Sequence, residues 1–185
     1  MAPRVNLIDG SQAPLLAAPY YEGGDPGPIV AALAHVPELL DVTMPFLGGA
    51  FGPSALAPRI KEIVILRTSA RLDCSYCIGA HSVVALDSGL VRAEVLELRG
   101  RGGPNACFDN PQERALIDWV DAVAGGPGPV PGGIGSALRA HFDEAEVVEL
   151  TLLASATIML NRFCTALALP RSAKTLYRLA KEDLL

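Results

Sequence analysis

The chain of 185 residues is half hydrophobic but only 5% aromatic, and its formal net charge is −5. That length suits one domain able to bury roughly two-thirds of its unfolded surface, and a core poor in aromatics must be built from Ala, Leu, Val and Ile, as in closely packed helices. With an acidic balance and scattered cations, the composition argues against a nucleic-acid or anionic-membrane surface.

Residues 1–27 are rich in Pro, Gly and Ala and read as an extended arm that drapes over the domain or reaches a neighbour. Within them Asn6, Asp9 and the prolines interrupt any signal-peptide core. Residues 28–185 read as one helical domain. Pro28 to Val36 makes a short helix, and Pro37 opens another toward Phe46, with Gly48-Gly49 and Gly52-Pro53 as its breakers. His35 between them is expected to pack or cap. Ala57 to Arg71 is strongly helical; the run Ile63-Val64-Ile65 would also suit a buried strand, but the segment is long and has no alternating partners. Asp73 is the expected N-cap of a helix reaching Asp87, and Val91 to Leu98 forms the next.

The stretch from Arg99 to Pro104 has the glycines of a phosphate loop but neither the preceding strand nor the following Lys-Ser/Thr, so a turn is expected. Cys107 just after it has no local thiol or histidine. Asn110 caps a helix through Trp119, a core residue, to Val123. Gly125 to Gly133 is a loop, Ile134 to His141 a short helix, and Asp143 caps a long helix through Ala166. That helix is apolar on every side from Leu150 to Leu160, which places it centrally, and the run is short of a bilayer span. Cys164 on it is expected to be a buried thiol. Arg171 to Glu182 closes the chain as an amphipathic helix. A cytoplasmic protein is expected: four cysteines make no disulfide framework, and a reducing compartment suits a pair that cycles.

The chemistry concentrates between Glu62 and His81. Cys74 falls at the start of a helix, where unpaired N–H groups and the dipole favour an anion. Cys77 lies three residues on and His81 four further, so the three side chains share a face. Thiolate is the nucleophile; an ordinary thiol titrates near ~8.5, and a helix start or an imidazole lowers that value. The helix start favours Cys74 as that thiolate, whereas the i, i+4 spacing puts Cys77 nearest His81. Cys74, Cys77 and His81 are one ligand short of a structural zinc set, which favours redox chemistry over a metal. Glu62, on the preceding helix, could orient His81 or relay its proton. With no nucleotide, flavin or haem signature, no cofactor is expected, and electrons would arrive by thiol exchange.

Glu, eleven residues, then Cys-x-x-Cys-x-x-x-His, filled here by Glu62, Cys74, Cys77 and His81, resembles the active-site pattern of the alkylhydroperoxidase D-like branch of the carboxymuconolactone decarboxylase superfamily. Glu149 to Pro170 resembles that superfamily's later helix. The resemblance implies an all-α helical bundle and a thiol-dependent hydroperoxide reductase. In it Cys77 attacks the peroxide, Cys74 resolves the sulfenate, and His81 with Glu62 moves the protons. It also implies a homo-oligomer (dimer, trimer or hexamer) and a dithiol reductant on a lipoyl or thioredoxin-like protein. Tyr76 stands where the best-known members carry a histidine, which leaves the relay one imidazole poorer. Two other readings stay open: a decarboxylase, although those members as a rule lack the cysteine pair, and a non-enzymatic thiol sensor or binding protein.

Overall fold

The computed structural model describes residues 2–100 and 107–185; the described residues are helical, with no strand among them. In chain order the helices are α1 (Pro28–Leu33), α2 (Pro37–Phe51), α3 (Pro58–Arg71), α4 (Ser75–Asp87), α5 (Arg92–Arg99), α6 (Pro111–Gly125), α7 (Gly132–Arg139), α8 (Glu144–Leu167) and α9 (Ala173–Lys181). Proline opens α1, α2, α3 and α6, where its fixed φ suits the helix and its missing N–H removes a donor that had no partner. Asp143 caps α8 by accepting from the Glu146 N–H at 2.9 Å, and Glu146 returns the bond to the Asp143 N–H. The turn expected from Arg99 to Pro104 falls mostly outside the described residues.

α3 is the axis of the domain. Every residue from Lys61 to Ala70 is buried, and α4, α5, α6 and α8 all pack on it. Ile63, Val64, Ile65 and Leu66 point in different directions and meet Val95 and Leu98 of α5, Leu116, Ile117 and Val120 of α6, and Leu150 and Leu153 of α8 in one cluster. A helix so enclosed can carry charges only if each is paired. Lys61 Nζ donates to the Gly52 carbonyl at 2.7 Å and pairs with Glu149 at 2.9 Å. Arg67, 1% exposed, forks onto both Asp121 oxygens at 2.6 Å and donates to the Gly100 carbonyl at 2.8 Å.

Arg59 in the first turn of α3 bridges Glu94 at 2.6 Å and Glu113 at 2.7 Å, and its hydrogen bonds are the main reason the Glu94 carboxyl sits below the usual carboxylate range. A depressed folded value means stability that is present above the unfolded pKa and lost as pH falls through the folded one. Thermal unfolding should therefore move to lower temperature as pH falls below about 4.3. The Glu94→Gln protein should start lower at neutral pH and lose less on acidification, as a pH series of melting curves would record.

Two expectations are corrected. The pair Gly48-Gly49 does not end α2, which runs through Pro45 and both glycines to Phe51; Leu40, Leu47 and Ala50 bury one face and hold the helix together past its breakers. α8 is not buried all round. Its Leu150, Leu153, Ala154, Thr157 and Asn161 face inward, while Val148, Leu152 and Met159 are exposed, as are Leu39, Val42 and Phe46 on the adjoining α2. At 24 residues α8 also has the length and hydropathy of a membrane span, more than its apolar run suggested; its inner face is part of the core.

The arm drapes over the domain. Arg4 donates to the Leu167 and Ala166 carbonyls at 2.9 and 2.7 Å, Ile8 to the Ala31 carbonyl at 3.1 Å, and Tyr21 to the Ile8 carbonyl at 2.9 Å. His35 ties the arm down by donating from Nε2 to the Asn6 carbonyl at 2.7 Å.

Candidate active site

The geometry of the thiols begins with how α3 stops. Asp73 adopts a left-handed φ of 53°, the conformation that short polar side chains tolerate best after glycine. Its N–H donates to the Ala70 carbonyl at 3.2 Å, and the Cys74 N–H reaches back to Ser69 at 3.1 Å, the paired bonds of a Schellman motif. Asp73 therefore closes α3 and does not cap α4, against expectation. With so few residues between the helices, Cys74 is both the last residue of this motif and the N-cap of α4, its carbonyl accepting from the Ile78 N–H at 2.9 Å.

α8 ends by the same device. Ala168 is left-handed at φ 52°, its N–H donates to Thr165 at 3.2 Å, and the Leu169 N–H returns to the Cys164 carbonyl at 3.0 Å. These two pinned helix ends meet. The sulfurs of Cys74, Cys77 and Cys164 lie within 4.8 Å of one another, and all three residues are buried. Leu169 and Ala32 pack against them, with Val5 and Leu7 of the arm alongside. Sequence reasoning had missed Cys164 as a member, because nothing local to it signals a partner about 90 residues away.

The trio shares its charge unevenly. Hydrogen bonds from Cys164 and then Cys77 hold Cys74 well below the ordinary thiol range, outweighing burial. Cys77 is pushed up by its bonds to Cys164 and Cys74 and by burial. Cys164 is pushed up to about 12, chiefly by its bond to Cys74. Cys74 is also the thiol at the head of α4, where the helix start favours an anion. Burial raises Tyr76 to about 12, so it remains a neutral phenol.

A cavity of about 450 Å³ opens at these helix ends, lined by Cys74 and Cys164 together with Tyr76, Leu169, Pro170 and Arg171. Gly79 lets the Arg171 stem lie against α4, since a Cβ there would come 2.6 Å from Arg171 Cδ. Three sulfurs this close could also serve a soft metal ion, although they remain one short of a tetrahedral zinc set.

One turn beyond Cys77, His81 Nδ1 lies 3.0 Å from Glu62 Oε2 and 3.3 Å from Oε1. Nδ1–H donates to the carboxylate, which fixes the tautomer and leaves Nε2 to exchange a proton. Glu62 is buried on α3, whereas the His81 side chain keeps 25% of its surface exposed and has the Phe51 ring at 6.4 Å. The four residues expected from the sequence thus form two adjoining parts, a thiol cluster at the head of α4 and a carboxylate–imidazole pair one turn on. Cys107 stands apart, its N–H donating to Glu97 at 2.9 Å.

An all-α bundle with a dithiol at the head of one helix and a Glu–His pair bridging it to the previous one defines a class of thiol-bearing helical proteins. Residues 37–122 match the Carboxymuconolactone decarboxylase family, a span that includes Glu62, Cys74, Cys77 and His81 but not Cys164. A protein of unknown function from Agrobacterium tumefaciens, a candidate antioxidant defence protein AhpD, is 26% identical with a TM-score of 0.70, covering 77% of this chain and 96% of its own. The alkylhydroperoxidase AhpD core of a peroxidase-related protein from Ralstonia eutropha JMP134 superposes with a TM-score of 0.81 at 16% identity over 94% of both chains. The debrominase Bmp8, as a cysteine-to-alanine variant in complex with 2,3,4-tribromopyrrole, gives 0.80 at 18% identity over 98% of both. Over residues 37–122 the chain is thus similar to the carboxymuconolactone decarboxylase family, and its fold is that of AhpD-like helical structures.

Proposed function

We propose that the protein is a thiol-dependent hydroperoxide reductase. The observation that carries this reading is the Glu62–His81 hydrogen bond, which presents a base one turn from Cys77, whose sulfur lies within 4.8 Å of that of Cys74. His81 Nε2 draws the proton from Cys77 as its sulfur attacks the terminal peroxide oxygen. The O–O bond breaks, and the departing alkoxide takes that proton from His81. Cys77 is left as sulfenic acid. Cys74 thiolate then attacks the Cys77 sulfur, hydroxide leaves and is protonated to water, and a Cys74–Cys77 disulfide remains. In this scheme Cys77, buried and held above the ordinary thiol range, requires the base, and Cys74 at the head of α4 resolves the sulfenate. A dithiol reductant, of the lipoyl or thioredoxin-like kind, restores both thiols. The exposed apolar residues of α2 and α8 suit self-association into a homo-oligomer.

The test is consumption of an organic hydroperoxide with dihydrolipoamide as reductant. Glu62→Gln keeps an acceptor for Nδ1–H but removes the charge, and should lower kcat/KM about tenfold; Glu62→Ala removes both and should cost about 10²-fold. Each should shift the pH–rate profile, an effect that loss of packing alone would not produce. If the wild type leaves peroxides untouched, the reading fails, and ring decarboxylation or thiol sensing becomes the next to assay.

A further inference from the structure

We propose that Cys164 is a third redox thiol, which takes over the disulfide formed by Cys74 and Cys77 and presents it in the cavity as a Cys74–Cys164 bond. This rests on the thiol-cycling reading above and adds a step to it. Three observations carry it. The Cys164 sulfur lies within 4.8 Å of both others. Cys74 and Cys164 line the cavity of about 450 Å³, whereas Cys77 is not among its lining residues. Both cavity thiols sit on helix ends pinned by matching backbone turns, with Cys164 held through its own carbonyl, so their mutual placement is built by the fold.

The exchange balances within the protein. Cys164 loses its proton and attacks the Cys74 sulfur; the Cys74–Cys77 bond breaks, and Cys77 leaves and takes up the proton that Cys164 gave. One S–S bond forms as another breaks, with no net change in oxidation. Cys77 is returned as a thiol one turn from His81. A dithiol reductant entering the cavity then attacks Cys164, and Cys74 departs as a thiolate at the head of α4, where the helix start favours an anion. The reductant's second thiol closes its own disulfide and frees Cys164. A substrate-side bond is thereby converted into a reductant-side bond.

Trypsin separates the partners, since Cys74 and Cys77 fall on the fragment 72–92 and Cys164 on 163–171. Two experiments read the connectivity by mass spectrometry after acid quench. In the first, Cys77→Ser protein is oxidised with diamide, which joins neighbouring thiols without peroxide chemistry; the two fragments should be recovered joined. In the second, reduced wild type receives one equivalent of cumene hydroperoxide, and a joined population should accumulate beside the looped 72–92 fragment. Cys164→Ser should still form the looped fragment, and dihydrolipoamide should reduce it about tenfold more slowly than wild type. Unjoined fragments in the diamide experiment, or reduction of Cys164→Ser at the wild-type rate, would overturn the proposal. Joined fragments under diamide with peroxide untouched by wild type would instead sink the hydroperoxide reading and leave the Cys74–Cys164 exchange standing.

Discussion

The Cys77→Ser protein is expected to lose hydroperoxide turnover by roughly 10³-fold or more, the scale on which removal of an attacking group acts. Its hydroxyl stays protonated beside the same His81, and oxygen makes a poor nucleophile toward peroxide. The Cys74→Ser protein should differ in kind. It retains the base and the attacking sulfur, so it should consume one equivalent of peroxide per chain and then stop, with Cys77 left as a sulfenic acid that dimedone traps or joined to Cys164. Rapid-mixing measurements of peroxide at stoichiometric protein separate the two. A burst that survives in Cys77→Ser and vanishes in Cys74→Ser would reverse the assignment, making the Cys74 thiolate the attacking group.

A comparably large effect on stability is expected at Asp121. Arg67 is buried on α3 and forked onto that carboxylate, so Asp121→Ala removes the anionic partner of a buried guanidinium. Breaking a buried pair from one side costs about 3–5 kcal/mol. The Asp121 side chain keeps 24% of its surface exposed and Arg71 lies 3.7 Å away, which puts the expectation at the lower end, about 3 kcal/mol. For a chain of this size that is a fall in Tm of about 6–12 °C, at fixed protein concentration. Replacing both partners by apolar residues, Arg67→Met with Asp121→Leu, should recover much of the loss, because the cost comes from the stranded charge. A double variant no better than Asp121→Ala would show that the pair is needed for itself.

Much of the helical order is local and was legible: prolines at first turns, Asp143 as the cap of α8, and an apolar run at α3 too long for a strand. The breakers at Gly48-Gly49 misled because tertiary burial of Leu40, Leu47 and Ala50 outweighs a propensity cost of about 1 kcal/mol per glycine. Asp73 misled because the same short side chain serves an N-cap and a left-handed C-terminal position, and only the tightness of the α3–α4 junction decides between them. The Glu62–His81 pair was visible only as a spacing; taken alone, Glu62 reads as a solvated charge. Cys164 was out of reach, since its meeting with Cys74 depends on how α8 crosses the α3–α4 corner, which no local pattern encodes.

The meeting of Cys164 with Cys74 also bears on how firmly the chain is held in each redox state. A bond between Cys74 and Cys77 closes a loop of only a few residues, for which loop-closure entropy gives about 2 kcal/mol. One between Cys74 and Cys164 would tie off a loop of about 90 residues, and loop-closure entropy assigns such a cross-link about 4.6 kcal/mol. Oxidation that stopped at the neighbouring pair would raise the melting temperature by less than half as much as oxidation that reached α8. The heat resistance of the oxidised chain would then report which of its thiols are joined.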